Sequence, residues 1–141
     1  MTEPNIIVSD VADLALRDQI GALLAAYNKE QAGFTDYHPL SISVRDPETQ
    51  DVVGGLIGRS AFGLLFIDLF VLPPARRGSG LGGRLLKIAE DEGRKRGCRA
   101  VTLYTINFQA PGFYEKQGYR RFGEIDCGNG ISRIFMVKEL N

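Results

Sequence analysis

The sequence of 141 residues has no tryptophan, one histidine and two cysteines, and these scarcities narrow the chemistry before any motif is read. Cys98 and Cys127 stand far apart, and neither has a histidine near it in sequence. Metal-ligand spacing and a covalent acyl-cysteine are therefore not indicated, and reduced thiols in a cytoplasmic protein are expected. Charge of one sign is also missing, since seventeen Lys and Arg balance seventeen Asp and Glu without long runs. That leaves no basic footprint for nucleic acid and favours small neutral or weakly charged partners. Long hydrophobic runs are lacking as well. The longest, residues 61–72, is interrupted by Gly63 and Asp68 and falls short of the ~20 residues that cross a bilayer, so no membrane partner is expected. The opening Met1-Thr2-Glu3-Pro4-Asn5 has neither the basic start nor the apolar stretch of a signal peptide.

What is present is ordinary globular composition, 44% apolar and 24% charged, which predicts one domain over residues 1–141 with a single core. Residues 6–8 read as a short strand. Apolar residues at Leu14, Leu16, Ile20, Leu23, Leu24 and Tyr27 then predict a helix capped by Ser9 or Asp10 and ended at Gly33. Residues 34–40 read as a loop that keeps the sole His38 at the surface. Strands follow at residues 41–44 and 52–58 around the turn residues 46–51. Residues 64–72 are apolar on both faces except for Asp68, which predicts a central strand covered on both sides, stopped by Pro73 and Pro74.

A second helix carries Leu81, Leu85, Leu86, Ala89 and Gly93 on one face and closes at Gly97, and a buried strand at residues 100–106 comes directly after it. Strand, helix and strand in so short a span form a crossover unit, so the two strands should lie parallel. Pro111 opens a short helix through Gln117, and residues 119–125 and 131–137 form a closing hairpin. The fold class is α/β (α+β), with a mixed sheet.

Between the central strand and its helix lies Arg77-Gly78-Ser79-Gly80-Leu81-Gly82-Gly83. Glycines let backbone N–H groups converge on a diphosphate without a Cβ in the way, and the Arg77 guanidinium pairs well with phosphate oxygens. A P-loop is excluded because Gly83 is followed by Arg84 and Leu85, without the magnesium-binding hydroxyl. Gly78, Gly80 and Gly83 do satisfy the dinucleotide fingerprint. However, residues 101–106 offer no carboxylate for a ribose, and a helix and a hairpin precede the loop. A nicotinamide-dinucleotide site is the minor alternative.

Residues 77–82 resemble the motif of the GNAT superfamily of N-acetyltransferases, which reads Gln or Arg, two residues, Gly, one residue, Gly or Ala. Asn107-Phe108-Gln109-Ala110-Pro111-Gly112-Phe113-Tyr114-Glu115-Lys116-Gln117-Gly118-Tyr119 is similar to the family's second motif. The resemblance implies a GNAT-like fold with six to seven strands, a splayed parallel pair and helices on both faces. It implies acetyl-CoA as acetyl donor, with Phe70, Val71, Leu72, Arg77, Gly78, Ser79, Gly80, Leu81, Gly82, Gly83, Asn107 and Tyr114 on the cofactor. A backbone N–H of Val71 or Leu72 would be the oxyanion donor, Asn107 would hydrogen-bond the cofactor arm, and Tyr114 would be the general acid.

Asp68, the only charge in the central strand, is the candidate base or ammonium anchor, since a carboxylate there is costly unless paired or functional. Asp36, Tyr37, Tyr104, Glu124 and Asp126 either line a cationic pocket or face water. The expected reaction is direct transfer to an amine of a small molecule or peptide. The alternatives are a hydroxyl acceptor, a longer acyl group, and a non-catalytic acetyl-CoA sensor. Pairing of the last strand across two chains would give a homodimer.

Overall fold

The structure, a computed structural model, describes residues 2–141 and divides into two compact units, Met1–Thr35 and Asp36–Asn141. In the first unit, α1 (Leu14–Ala32) begins where Asp13, in an extended conformation, accepts a hydrogen bond from the Leu16 amide at 2.9 Å. Asp13 is thus the cap, rather than Ser9 or Asp10. Ser9 instead turns the chain locally by accepting from the Val11 amide. Gly33 ends α1 at a φ of 86°, its N–H returning to the Lys29 carbonyl at 2.9 Å. Residues 6–8 form no strand. A run of three residues closes too few ladder hydrogen bonds to hold itself extended.

The second unit runs β1 (His38–Arg45), β2 (Val52–Ala61), β3 (Leu64–Val71), a 3-10 turn (Pro74–Arg76), α2 (Leu81–Lys95), β4 (Ala100–Ile106), α3 (Pro111–Lys116), β5 (Arg120–Asp126) and β6 (Ser132–Glu139). They build one mixed sheet in the order β1-β2-β3-β4-β6-β5. All neighbours are antiparallel except β3 and β4, the parallel pair that the crossover requires. His38 lies in no loop: it opens β1 opposite Ser60 and is exposed. The β1–β2 turn is held by the Asp46 carboxylate, which accepts from the Glu48 and Thr49 amides at 2.8 and 3.1 Å. Those bonds keep its pKa below the usual value.

One face of the sheet carries the core. Leu56, Leu65, Val101, Leu103 and Met136 are sealed beneath Leu86 and Ala89 of α2, and Tyr114 of α3 joins the same cluster. Both helices of this unit therefore cover one face, and the period-two alternation of β4 and β6 follows from it: Val101, Leu103, Thr105, Ile134 and Met136 are buried, while their neighbours are not.

Candidate active site

The parallel pairing of β3 with β4 is short, running only from Leu64 opposite Ala100 to Ile67 opposite Leu103. Beyond it, β3 continues paired with β2 alone and β4 with β6 alone. Residues 68–71 and 104–106 thus face each other across an opening where no strand joins them, and Ile106 is tied to Gln109, whose side-chain oxygen accepts from its N–H at 2.9 Å. A bulge sits at its inner end: Ile57 pairs with Leu69 and Gly58 with Ile67, leaving Asp68 as the extra residue. Ile67 and Phe70 both pack on the core, and Asp68 and Leu69 between them are exposed. Asp68 is therefore not buried in a covered strand: next to the core-facing Ile67 it falls on the opposite face, and the bulge leaves Leu69 exposed beside it.

At the outer end, the glycine loop leads into α2. Gly78 and Gly80 have φ of 80° and 86° with open space around them, so their need for glycine is conformational. Gly82 and Gly83 serve packing instead. A Cβ on Gly82 would lie 3.1 Å from both Leu72 and Phe113, and one on Gly83 would lie 3.3 Å from Gln117. The start of α2 is thereby pressed against the end of β3 and against α3. Ser79 donates its N–H to the Arg76 carbonyl, and Arg77 ties the loop to β3 by donating to the Leu72 carbonyl at 3.4 Å. Among the described residues, no carbonyl accepts from the N–H groups of Gly78, Gly80, Leu81, Gly82 or Gly83. Donors left free at a helix start suit an anion.

Tyr114 approaches the opening from the core face. Its ring makes edge contacts with Phe70, Phe113 and Tyr119, centroids 6.3, 5.2 and 5.9 Å away. The residue is only 8% exposed, and burial pushes the phenol up to about 12. Among the described residues its hydroxyl has no hydrogen-bond partner, yet no buried polar side-chain atom is left unsatisfied. The tip of the ring therefore reaches an open space while the rest is enclosed.

Asn107 follows β4 directly. Its side-chain N–H donates to the Gly130 carbonyl at 2.9 Å, and its Oδ1 accepts from the Ser132 amide at 3.1 Å. One N–H and one lone pair remain for another partner. Three of the acceptor-side candidates are occupied elsewhere. Asp36 accepts from the Phe62 amide and Asp126 from the Gly128 amide, each at 2.9 Å. Glu124, opposite the core-facing Ile134, is 3.9 Å from Arg121. Tyr104 does sit at the opening, next to Leu103 on the face away from the core.

The sequence reading overlooked a buried polar group beside Tyr114. Glu90, 4% exposed, accepts from the Tyr119 hydroxyl at 2.8 Å and from Lys138 Nζ at 2.9 Å. Its signal was present, because Glu90 stands in the apolar stripe of α2 at the i, i+3, i+4, i+7 spacing of Leu86, Ala89, Glu90 and Gly93.

Residues 8–119 match the model of the Acetyltransferase (GNAT) family. The chain is 39% identical over 121 residues to acetyltransferase Atu2258 of Agrobacterium fabrum, covering 86% of this chain and 88% of that one. It is 41% identical over 95 residues to blasticidin-S acetyltransferase of Streptomyces morookaense, covering 66% and 70%. Among solved structures, a candidate acetyltransferase from Agrobacterium tumefaciens superposes with a TM-score of 0.83 at 36% identity, covering 96% of this chain and 99% of that one.

Proposed function

The chain belongs to the GNAT family of acetyltransferases, and from that premise we propose that it moves the acetyl group of acetyl-CoA directly to an amine within a ternary complex. The observation that carries this reading is the opening between β3 and β4, with free amides at one end and the Tyr114 hydroxyl on one face. The N–H groups of Gly78 and Gly80–Gly83, with Arg77 and Ser79 beside them, would hold the pyrophosphate. The free edges of Phe70, Val71 and Leu72 would pair with the amide-bearing arm, and Asn107 would meet it from β4 with its remaining donor and acceptor. Acetyl-CoA supplies an activated thioester.

A C–N bond forms as the C–S bond breaks, so nitrogen sheds one proton and sulfur gains one. A backbone N–H of Val71 or Leu72 would steady the negative charge on the carbonyl oxygen. Tyr114, with its pKa raised to about 12, remains a neutral donor at all ordinary pH values and would hand its proton to sulfur, recovering one from water. Asp68 lies on the opposite face of the opening. There it would receive an ammonium group, whose ordinary pKa near 10.4 requires that a proton leave before attack. Donor from one face and amine from the other need no covalent enzyme intermediate. The Streptomyces relative is named for blasticidin S as its acceptor, which favours a small molecule over a peptide.

The test is calorimetric titration with acetyl-CoA and, as control, NADH, followed by thiol release across a panel of amines. Saturable binding of acetyl-CoA alone together with amine-dependent thiol release is the expected result. Binding without release on any amine would favour a sensor, and binding of NADH would overturn the loop assignment.

A further inference from the structure

On the same face as Asp68, away from α2 and α3, β6 presents Arg133 and Phe135, which alternate with the core-facing Ile134 and Met136. The Arg133 guanidinium lies 4.8 Å from the centre of the Tyr104 ring, which is braced by Phe135 at 5.9 Å. Among the described residues Arg133 makes no ion pair. An aromatic face orients a guanidinium without neutralising it, so its forked donors stay free for a planar anion. The Asp68 carboxylate likewise has no hydrogen bond or salt bridge among the described residues.

The other guanidinium stacked on this face, Arg59, lies 4.6 Å over Phe66, where β3 and β4 are still paired; it is therefore set back from the opening. Glu139 faces out at the far end of β6, near Arg120. Among the described residues of β3, β4 and β6, the charged side chains on this face at the opening are thus Asp68 and Arg133, on either side of Tyr104.

Resting on the amine-transfer reading, we propose that Arg133 over Tyr104 is a specificity-determining site for an anionic group on the acceptor, so that the preferred substrate is an amine that also carries a carboxylate. Asp68 receives the ammonium end and Arg133 the carboxylate end. From β3 to the guanidinium over β4 the charges are separated by more than one paired-strand spacing, about 5 Å, because β3 and β4 have parted at this point. That separation suits an ω-amino acid better than an α-amino acid, whose two charges are adjacent.

The experiment compares kcat/KM for ω-aminohexanoate and for its uncharged amide, in the wild-type chain and in Arg133→Gln and Arg133→Lys, by release of the coenzyme A thiol. The wild type should prefer the carboxylate by roughly tenfold, mainly through KM. Arg133→Gln should bring the ratio to about one, and Arg133→Lys should keep part of it, because a point charge replaces a fork. A wild-type ratio near one, or equal losses on both substrates in Arg133→Gln, would overturn the proposal while leaving amine transfer intact. No thiol release with either substrate or with any other amine, despite acetyl-CoA binding, would sink the amine-transfer reading and this proposal together.

Discussion

At the scale of single residues, the site separates groups that act through side chains from groups that act through the backbone. Removing the Tyr114 hydroxyl keeps the edge contacts of its ring with Phe70, Phe113 and Tyr119, so Tyr114→Phe tests the proton and little else. We expect kcat to fall by roughly tenfold to a thousandfold with acetyl-CoA affinity retained, the worth of one positioned donor; thiol-release kinetics beside calorimetry check it, and unchanged turnover would remove Tyr114 from the mechanism. Gly80 is the backbone counterpart. Space around it is open, so Gly80→Asp introduces a carboxylate beside the free amides, at a positive φ that aspartate tolerates better than most residues. Acetyl-CoA binding should be abolished in a chain that still folds, its stability lowered by no more than the roughly 1–2 kcal/mol of one side chain at a left-handed φ. Retained binding would mean that those amides do not hold the pyrophosphate.

At the scale of elements, α2 is held by polar groups at its C-terminal end and in its middle. Near its C-terminus Arg96 donates to the His38 carbonyl and to Ser60 Oγ, each at 3.1 Å, and in its middle Glu90 joins Tyr119 and Lys138. Lys138→Met leaves the Glu90 charge buried with a single neutral partner. Breaking such a pair typically costs about 3–5 kcal/mol, which a shift of the urea midpoint would register; a loss below about 1 kcal/mol would show that water replaces the lysine.

Most of these elements were legible in the sequence because they rest on local pattern. The β4 limits, Pro111 as the start of α3 and the parallel β3–β4 pair all follow from periodicity and punctuation. What was not legible depends on pairing. A three-residue apolar run at residues 6–8 looks the same whether or not a ladder forms, and the α1 cap fell to Asp13 because a carboxylate immediately before the first turn outcompetes those further upstream. The bulge at Asp68 is a property of the β2–β3 register, so the sequence showed a charge in an apolar strand without showing where it points. Arg133 carried no motif at all, and its place over Tyr104 appears only once β4 and β6 are aligned.

At the scale of the whole molecule, the equal numbers of acidic and basic residues leave little net self-repulsion near neutral pH, and pH dependence then falls to individual groups whose pKa changes on folding. Burial raises the Tyr114 phenol from 10 to about 12, and burial with the Glu90 carboxylate raises Tyr119 as well. Both phenols are neutral in the folded and unfolded chain below pH 10, so their full contribution is present there. Above pH 10 the unfolded chain loses these protons and the folded one keeps them, so stability drains away as pH rises toward the folded values. Two units at Tyr114 correspond to about 3 kcal/mol at most. Burial raises the Cys98 thiol as well, so urea midpoints measured from pH 8 to 11.5 should begin to fall gently near pH 9 and more steeply above pH 10, and the steeper part should be shallower in Tyr114→Phe, which has no phenol at that position to ionise. A decline equally steep in Tyr114→Phe and in the wild type would show that Tyr114 titrates alike in both states, and its ring would then have to be far more hydrated than its packing against Phe70, Phe113 and Tyr119 allows.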